Sequence, residues 1–507
     1  MNSAWLPLLL CLGLSSTPLQ KGSGNEALSD FKKFYPTFKE NAQKIEAILA
    51  LEGLDGADLV ELLLPILSDP EIEIRGAALR VLSKVKEEAS VNALIGALKA
   101  KKGDVKAGAA EALGLGRHQA ALGPLKALAS DSNPEARTAA ALALGRVRDP
   151  AANDALLKLL EDGKESVRTA ACDALGWIGD VATADAVLAK LSDREWRVRA
   201  AAIAALGNLR AKQVIPKLVE SMEKEEGRLV EDASRALERL TGLELGPDAQ
   251  AWRQWWGQVE KGFQVPTEKA LKEFKDKQRK AALKYGLRKD VVEYNGITTP
   301  SKRILFIVDQ SGSMEDEILD KKRFEGRNYP SFSKLEIVKQ ELIRTIRKLD
   351  PNVRFNVLTF ATAVFTWKKQ LQAANVLGRT SAEDYVGRLS PIGGSSKSGL
   401  AGAGLVGAAG MEEGKTNTYL ALMSALGGPG GRVIGDIAED VDTIFFLSDG
   451  RPSVGKLIEP DDILMAVREV NKLKKVVIHT IAIGEYQKDF METLARENGG
   501  VFVDLGK

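Results

Sequence analysis

The first half of the chain repeats with a fixed period of 31 residues, and this repeat restricts the possible folds more than any other feature. An apolar residue recurs at this step, followed by a basic residue in the first five of six units, and a leucine recurs eight positions later. The pairs are Ile74-Arg75, Val105-Lys106, Ala136-Arg137, Val167-Arg168, Val198-Arg199 and Leu229-Val230, and the leucines are Leu82, Leu113, Leu144, Leu175, Leu206 and Leu237. In four units a glycine follows the leucine, at Gly114, Gly145, Gly176 and Gly207. Glycine after an apolar helical stripe predicts the end of a helix, so each unit is predicted to be two antiparallel helices joined by a glycine-containing turn.

One helical hairpin cannot bury its apolar face alone, but stacked hairpins can, so residues 26–245 are predicted to form an all-α solenoid. The repeat resembles HEAT repeats over about residues 65–245, in the short form similar to the repeats of phycobilisome-lyase-like proteins. Residues 26–64 carry weaker versions of the pattern and are predicted to cap the stack. Cys172 occupies a position that is apolar in other units and is predicted to lie in the core. Four aspartates precede the basic position by six residues and are predicted to join one unit to the next: Asp69, Asp131, Asp162 and Asp193.

Residues 246–299 are predicted to contain an aromatic cap and a charged connector. Trp252, Trp255 and Trp256 have helical spacing and would form one aromatic face. That face would either close the end of the solenoid or serve as an exposed platform for a ligand. The following segment is rich in Lys and Glu and is predicted to be a helical connector.

The N-terminal residues 1–22 resemble a secretory signal peptide, because a short apolar block at Leu6–Leu14 precedes small residues and a Gly/Ser patch. This predicts an extracytoplasmic protein that is secreted, periplasmic or attached to the cell surface. Leu10 is bulky where a lipoprotein signal has a small residue, which argues against a lipid anchor at Cys11. No later segment reaches the ~18 apolar residues of a membrane span, so no integral span is expected. The near balance of 71 basic and 69 acidic residues, without basic runs, argues against nucleic-acid binding.

From Arg303 onward, apolar runs alternate with amphipathic stretches. This alternation predicts an α/β domain over residues 300–507, with a doubly wound, mostly parallel sheet. The predicted strands are 303–309, 353–360, 441–448 and 475–483, and the predicted helices are 333–349, 416–426, 461–474 and 488–497. In such sheets ligands bind at the carboxyl ends of the strands.

Polar side chains cluster at these strand ends. Asp309, Ser311 and Ser313 alternate after the first strand in DQSGSM, Asp449 follows a later strand in LSDG, and Thr416 begins a helix. Two carboxylates and three hydroxyls form an all-oxygen site, which suits Mg²⁺, Mn²⁺ or, less well, Ca²⁺, and does not suit zinc. An ion with so few anionic ligands keeps positive charge and can accept one more carboxylate, from a partner.

These residues resemble a von Willebrand factor type A domain with a metal-ion-dependent adhesion site, whose pattern is D-x-S-x-S, a Thr and an Asp on three loops. The resemblance covers roughly residues 300–507 and implies that Asp309, both serines and Thr416 bind the ion directly or nearly so, with Asp449 acting through water. The sequence departs from the family pattern in two places, and these departures would either leave the metal site intact or weaken it. Lys415 stands where the family has glycine, and a long loop rich in Gly, Ala and Ser occupies residues 393–410.

Catalysis is not expected, because a serine nucleophile needs an oriented base and the two histidines of the chain lie in different domains. The sequence therefore predicts an exported binding or adhesion scaffold, with the metal site as one interaction surface and the solenoid as a second. Two alternatives stay open. The chain would be either an accessory subunit of a metal-chelatase-like or lyase-like enzyme system, or a structural protein in which the ion only braces loops.

Overall fold

The computed structural model describes residues 21–267, 269–271, 292–294, 297–318, 321, 329–393, 414–449, 451–484 and 487–505. The predicted signal peptide lies outside the described residues except for residues 21–22, which begin the first helix. The predicted Gly/Ala-rich loop lies outside them except for Gly393. Within these ranges no helix has the length and apolarity needed to cross a membrane.

The N-terminal half is a stack of helical hairpins, as predicted. The helices are α1 Lys21–Phe34, α2 Asn41–Leu49, α3 Ala57–Leu63, α4 Ile72–Leu82, α5 Glu88–Ala97, α6 Gly103–Leu115, α7 Leu122–Leu128, α8 Pro134–Val147, α9 Asn153–Leu159, α10 Glu165–Ile178, α11 Ala184–Ala189, α12 Trp196–Leu209, α13 Val214–Lys224, α14 Arg228–Thr241 and α15 Ala249–Val259. Helices α4, α6, α8, α10, α12 and α14 are the first helices of successive hairpins, and we call them the first-helix row. Their apolar side chains form one continuous buried cluster along the stack.

A ladder of ion pairs joins the units, and it uses the predicted aspartates. Arg168 donates to the main-chain oxygen of Asp162 at 2.9 Å and to the carboxylate of Asp193, in the next unit, at 2.8 Å. Equivalent links between units are Lys106–Asp131 at 2.5 Å, Arg137–Asp162 at 2.7 Å and Arg199–Glu225 at 2.5 Å. The prediction that these aspartates connect neighbouring units is confirmed for Asp131, Asp162 and Asp193. Asp69 instead accepts hydrogen bonds from Glu71 and Arg75 of its own unit.

The prediction that the repeated glycines end helices is wrong. Gly114, Gly145 and Gly176 lie inside α6, α8 and α10, where they allow the next helix of the row to approach. A Cβ atom on Gly145 would lie 2.5 Å from the Cα atom of Ala174. Helices α6, α8, α10 and α12 are instead followed by residues with left-handed backbone, which are Arg117 (φ 53°), Arg148 (φ 60°), Gly179 (φ 76°) and Arg210 (φ 54°).

The tryptophan cluster closes the end of the solenoid. Trp252 is fully buried and its indole donates to the Gly246 oxygen at 2.8 Å, while Phe263 contacts Trp255 and Trp256 at ring distances of 5.3 and 5.6 Å. This packing favours the cap over the exposed platform.

Cys172 is buried within α10, as expected for a core residue, and burial raises the pKa of its thiol.

The C-terminal domain is a mostly parallel sheet with helices on both faces, as predicted. Its strands are β1 Val292–Tyr294, β2 Ile297–Thr299, β3 Arg303–Asp309, β4 Arg354–Phe360, β5 Val364–Thr366, β6 Gln372–Ala373, β7 Thr443–Ser448, β8 Val477–Ala482 and β9 Phe502–Asp504. Its helices are α16 Lys334–Lys348, α17 Val376–Gly387, α18 Thr418–Leu426, α19 Ile437–Asp440, α20 Pro460–Lys474 and α21 Lys488–Glu497. The order β5-β4-β3-β7-β8-β9 places β3 and β7 side by side at the centre.

Several short elements of this domain were not predicted. The β1–β2 hairpin lies in the segment expected to be a helical connector, and the rest of that segment lies largely outside the described residues. Strands β5, β6 and β9 have only two or three residues, too few to show an apolar run. Residues of β3 alternate between two cores: Leu305 and Ile307 face α18, α20 and α21, whereas Phe306 and Val308 face α16 and α17.

The two halves of the chain are in direct contact along the first-helix row. Lys475, which follows α20, pairs with Asp173 of α10 at 2.6 Å, and Lys472 lies 3.5 Å from Glu111 of α6. Further contacts are Arg197 to the Glu439 oxygen at 2.9 Å, Arg235 to the Gly499 oxygen at 3.2 Å and Lys302 to Glu226 at 2.7 Å. Part of the solenoid surface is therefore covered by the α/β domain of the same chain.

Candidate metal centre

Strand β3 delivers the first carboxylate to the centre of the sheet edge. Asp309 is the last residue of this strand and is fully buried. Its Oδ1 accepts a hydrogen bond from the backbone N–H of Ser311 at 2.8 Å, which turns the chain tightly after the strand. The hydroxyl oxygens of Ser311 and Ser313 then lie 3.2 Å apart. The alternating sequence thus places three oxygen-bearing side chains around one point, as expected.

Strand β7 delivers the second carboxylate beside the first, because it pairs in parallel with β3 up to Val308 and Leu447. Asp449 follows this strand and is buried. The Ser313 hydroxyl donates to Asp449 Oδ1 at 2.9 Å. The structure therefore brings Asp309, Ser311, Ser313 and Asp449 together.

Thr416 reaches the same edge on a third loop, just before α18. Gly312 donates its N–H to the oxygen of Gly414 at 2.9 Å, which holds this loop against the DQSGSM turn. Thr416 is buried, its N–H donates to the Ser453 hydroxyl at 2.9 Å, and its oxygen accepts from the Ser453 N–H at 2.9 Å. Ser453 thus holds Thr416 through the N–H and carbonyl groups of the threonine, while Gly414, two residues earlier, contacts the turn.

Two further residues of the centre were missed by the sequence analysis. The Ser448 hydroxyl donates to Asp309 Oδ2 at 2.6 Å, and the Lys334 ammonium lies 2.7 Å from Asp449 Oδ2. Ser448 directly precedes Asp449, so its position gave a signal that could have been used. Lys334 gave no such signal in the sequence, because it begins α16 and lies far along the chain from its partner Asp449.

The electrostatics of the centre leave one carboxylate in need of a cation. Burial, and then the charge of Asp449, raise the pKa of Asp309 to about 7, although hydrogen bonds from Ser311 and Ser448 oppose the shift. In the described part of the chain, Lys334 pairs with Asp449 and no ion pair involves Asp309. When Asp309 is ionised, the two carboxylates and the one ammonium give this centre a charge of −1.

This donor set fits a divalent cation. All five predicted ligands offer oxygen, and the excess charge is negative, both of which favour a hard ion such as Mg²⁺. Among the described residues there is no group of three or more His, Cys, Asp and Glu side chains that could hold a metal.

Comparison with known proteins separates the chain into two parts. The family model described as HEAT repeats matches residues 40–114, 97–170, 121–191 and 153–238. Inter-alpha-trypsin inhibitor heavy chain H4 from Homo sapiens is 26% identical over 209 residues, which is 41% of this chain. The matched part spans only 18% of that human protein.

Two solved structures show partial likeness. The von Willebrand factor type A protein from Catenulispora acidiphila has a TM-score of 0.27 and 17% identity, covering 41% of this chain and 39% of that one. The complex of CpcE and CpcF of phycocyanin lyase from Nostoc has a TM-score of 0.29 and 17% identity, covering 54% of this chain and 99% of that one.

Proposed function

We propose that this chain, which joins HEAT repeats to a von Willebrand factor type A-like α/β domain, is a scaffold that binds partner proteins. Its metal centre would hold one Mg²⁺, or Mn²⁺ or Ca²⁺, and the ion would bind an Asp or Glu carboxylate of a partner. The side chains that would hold the ion are Asp309, Ser311, Ser313, Thr416 and Asp449.

The charge of the centre is the observation that carries this proposal. Once Asp309 is ionised, Asp309 and Asp449 contribute two negative charges, and Lys334 contributes one positive charge. A divalent ion changes the sum from −1 to +1, so the loaded centre attracts an anion. Because Asp309 and Asp449 are both buried, the attraction acts in a medium of lower dielectric constant than water.

The positions of the histidines support binding without turnover. His479 lies inside β8, where its Nδ1 accepts from the Val501 N–H at 3.0 Å and its ring stacks on Phe445. His118 lies in a turn of the solenoid. Among the described contacts, neither histidine is hydrogen-bonded to Ser311 or Ser313, and the proposed activity is recognition.

Isothermal titration calorimetry of the full chain with Mg²⁺ and with Mn²⁺ tests the metal centre. Wild-type protein should bind one ion, and Asp309→Asn should abolish binding because it removes the carboxylate without changing the side-chain volume. The matched control is Asp350→Asn, an exposed aspartate in the turn before β4, which should bind as wild type does. A wild-type protein that binds neither ion overturns the proposal.

A role in bracing loops is the second candidate, because the same residues cross-link three loops. The Gly312–Gly414 and Ser313–Asp449 hydrogen bonds join the turn after β3 to the two other loops of the centre. Binding of a fluorescent peptide with one central Glu distinguishes the two functions. Retention that needs Mg²⁺ and is lost with the matched Gln peptide supports recognition. Thermal stabilisation by Mg²⁺ without peptide retention supports bracing alone.

We also propose that the protein is exported, on the strength of the signal-like N-terminus. Sequencing of the mature N-terminus from the native source tests this, and a start near residue 22 is expected. An intact Met1 would instead favour the intracellular accessory role in an enzyme system.

A further inference from the structure

The N-terminal end of α4 packs into an apolar core of the α/β domain. Ile72, its first residue, is 5% exposed and belongs to the same buried apolar cluster as Tyr419 of α18 and Ile463 of α20. The flanking residues Glu71 and Glu73 carry carboxylates at this junction. We call residues 71–73 the α4 wedge.

The α4 wedge contacts the loop that leads away from the metal centre. This loop, residues 451–459, connects the end of β7 and Asp449 to α20. The ammonium of Lys456 forms an ion pair with Glu71 and lies 3.8 Å from Glu73 Oε2. The next residue, Leu457, is buried in the apolar cluster that contains Ile72.

The same loop contacts Thr416 a few residues earlier. Ser453 exchanges two hydrogen bonds with Thr416, each of 2.9 Å. Gly455 has φ of +121°, and a Cβ atom there would lie 2.2 Å from Oδ1 of Asn417, the residue that caps α18. Residues 453–455 therefore lie against Thr416 and Asn417, so a movement of the loop at Lys456 would act on Thr416 through these contacts.

Lys456 compensates the charge of one buried carboxylate at this junction. Glu73 is 1% exposed, and burial raises the pKa of its carboxyl group, while Lys456 and a hydrogen bond from Asn41 lower it. Removal of the cation would leave the buried Glu73 carboxylate without charge compensation, which is strongly destabilising in buried sites. The loop would then move to let water reach it.

We propose that the α4 wedge is a positioning element for the metal centre, and that docking of the solenoid holds loop 451–459 where Thr416 and Asp449 face the cation. The solenoid thus sets the affinity of the metal centre, and by thermodynamic reciprocity a bound cation strengthens docking of the solenoid. This inference rests on the proposed metal-binding function.

The test compares two lysines that form ion pairs between the domains. Lys456→Met removes the contact with the wedge. Lys302→Met removes the ion pair with Glu226. This pair lies at the end of β3 opposite the metal centre and does not involve loop 451–459. Both substitutions keep an apolar side chain of similar length. Glu71→Gln perturbs the first pair from the solenoid side, and none of these residues belongs to the donor set.

Two quantities are measured in the full chain: the Kd for Mg²⁺ by calorimetry, and amide hydrogen exchange at Thr416 and Ser453. We expect Lys456→Met and Glu71→Gln to raise the Kd by about fivefold or more, within the usual range of coupling between sites, and to accelerate exchange. Lys302→Met should change neither quantity. Wild-type Mg²⁺ binding with an unchanged Kd in Lys456→Met overturns the inference alone. Equal effects of Lys302→Met and Lys456→Met also overturn it. Failure of the wild type to bind Mg²⁺ overturns the proposed function and the coupling to metal together.

Discussion

Replacement of Gly145 by alanine tests how closely the helices of the first-helix row pack. A Cβ atom at this position would lie 2.5 Å from Cα and 2.7 Å from Cβ of Ala174, and 3.0 Å from Cε3 of Trp177. Favourable contacts between carbon atoms lie at about 3.5–4.0 Å, so α8 and α10 would have to separate by about 1 Å. The first two atoms belong to a helix backbone and its Cβ, which cannot rotate out of the way.

Two opposing effects determine the magnitude. Alanine is favoured over glycine inside a helix by about 1 kcal/mol. Overpacking of a dense core costs about 1–3 kcal/mol and occasionally more, and contact with backbone favours the upper end. We therefore expect Gly145→Ala to lower the free energy of unfolding by about 2 kcal/mol. The control is Gly96→Ala in α5, where a Cβ atom would have no neighbour within 4 Å and only the gain in helix propensity applies.

Urea denaturation of the full chain, followed by circular dichroism and tryptophan fluorescence, measures both variants. Gly145→Ala should unfold at a lower urea midpoint than wild type, and Gly96→Ala at the same or a higher midpoint. Trp177 contributes to the fluorescence as one of seven tryptophans, and its ring would contact the new methyl group. A midpoint for Gly145→Ala at or above that of wild type would refute close packing as the reason for glycine.

Three further outcomes are expected. Arg168→Ala should lower the free energy of unfolding, measured by urea denaturation, by about 3 kcal/mol, because it leaves the buried Asp193 carboxylate without its cation. A decrease of less than about 1 kcal/mol in the free energy of unfolding would contradict this. Burial, with the charges of neighbouring arginines, lowers the pKa of His479 to about 4. As pH decreases from 6.5 to 4, the unfolded chain therefore binds a proton before the folded chain does. The free energy of unfolding should fall by on the order of 3 kcal/mol over this range. His479→Asn should remove this pH dependence, and persistence of the full slope would assign it elsewhere. The pKa of Asp309 is raised to about 7, so below that pH a proton competes with the metal ion for its carboxylate. The Kd for Mg²⁺ should therefore be about tenfold higher at pH 6 than at pH 8. Equal Kd values at the two pH values would exclude this competition.

The solenoid was predictable from periodicity, but the role of its glycines was not. A glycine after an apolar stripe can serve a left-handed helix end or a close approach between helices, and both have the same appearance in sequence. Gly145 serves the second purpose, whereas the helix ends at Arg148, a residue type that gives no indication of left-handed backbone. Only the distance between neighbouring helices separates the two cases.

The positions at the metal centre were predictable because they follow strand ends in a known order along the chain. Lys334 was not, since its contact with Asp449 joins residues 115 positions apart and depends on where α16 begins. The pair of Lys456 with Glu71 depends on how two domain surfaces fit, and neither surface shows this in its own hydrophobic pattern. Contacts of this kind become visible only when the domains are seen together.

The docking of the α/β domain has a consequence for the number of repeats. In most solenoids each unit touches only its neighbours, so a unit can be gained or lost with little effect on the others. Here three residues of the solenoid contact the α/β domain at separate places: Ile72, Asp173 and Arg235. Deletion of a unit between them would shift every later contact by one helix spacing, about 9 Å. Contacts with the α/β domain therefore fix the number of units in the solenoid. Related chains with this docking should keep the same number of repeats from α4 to α14.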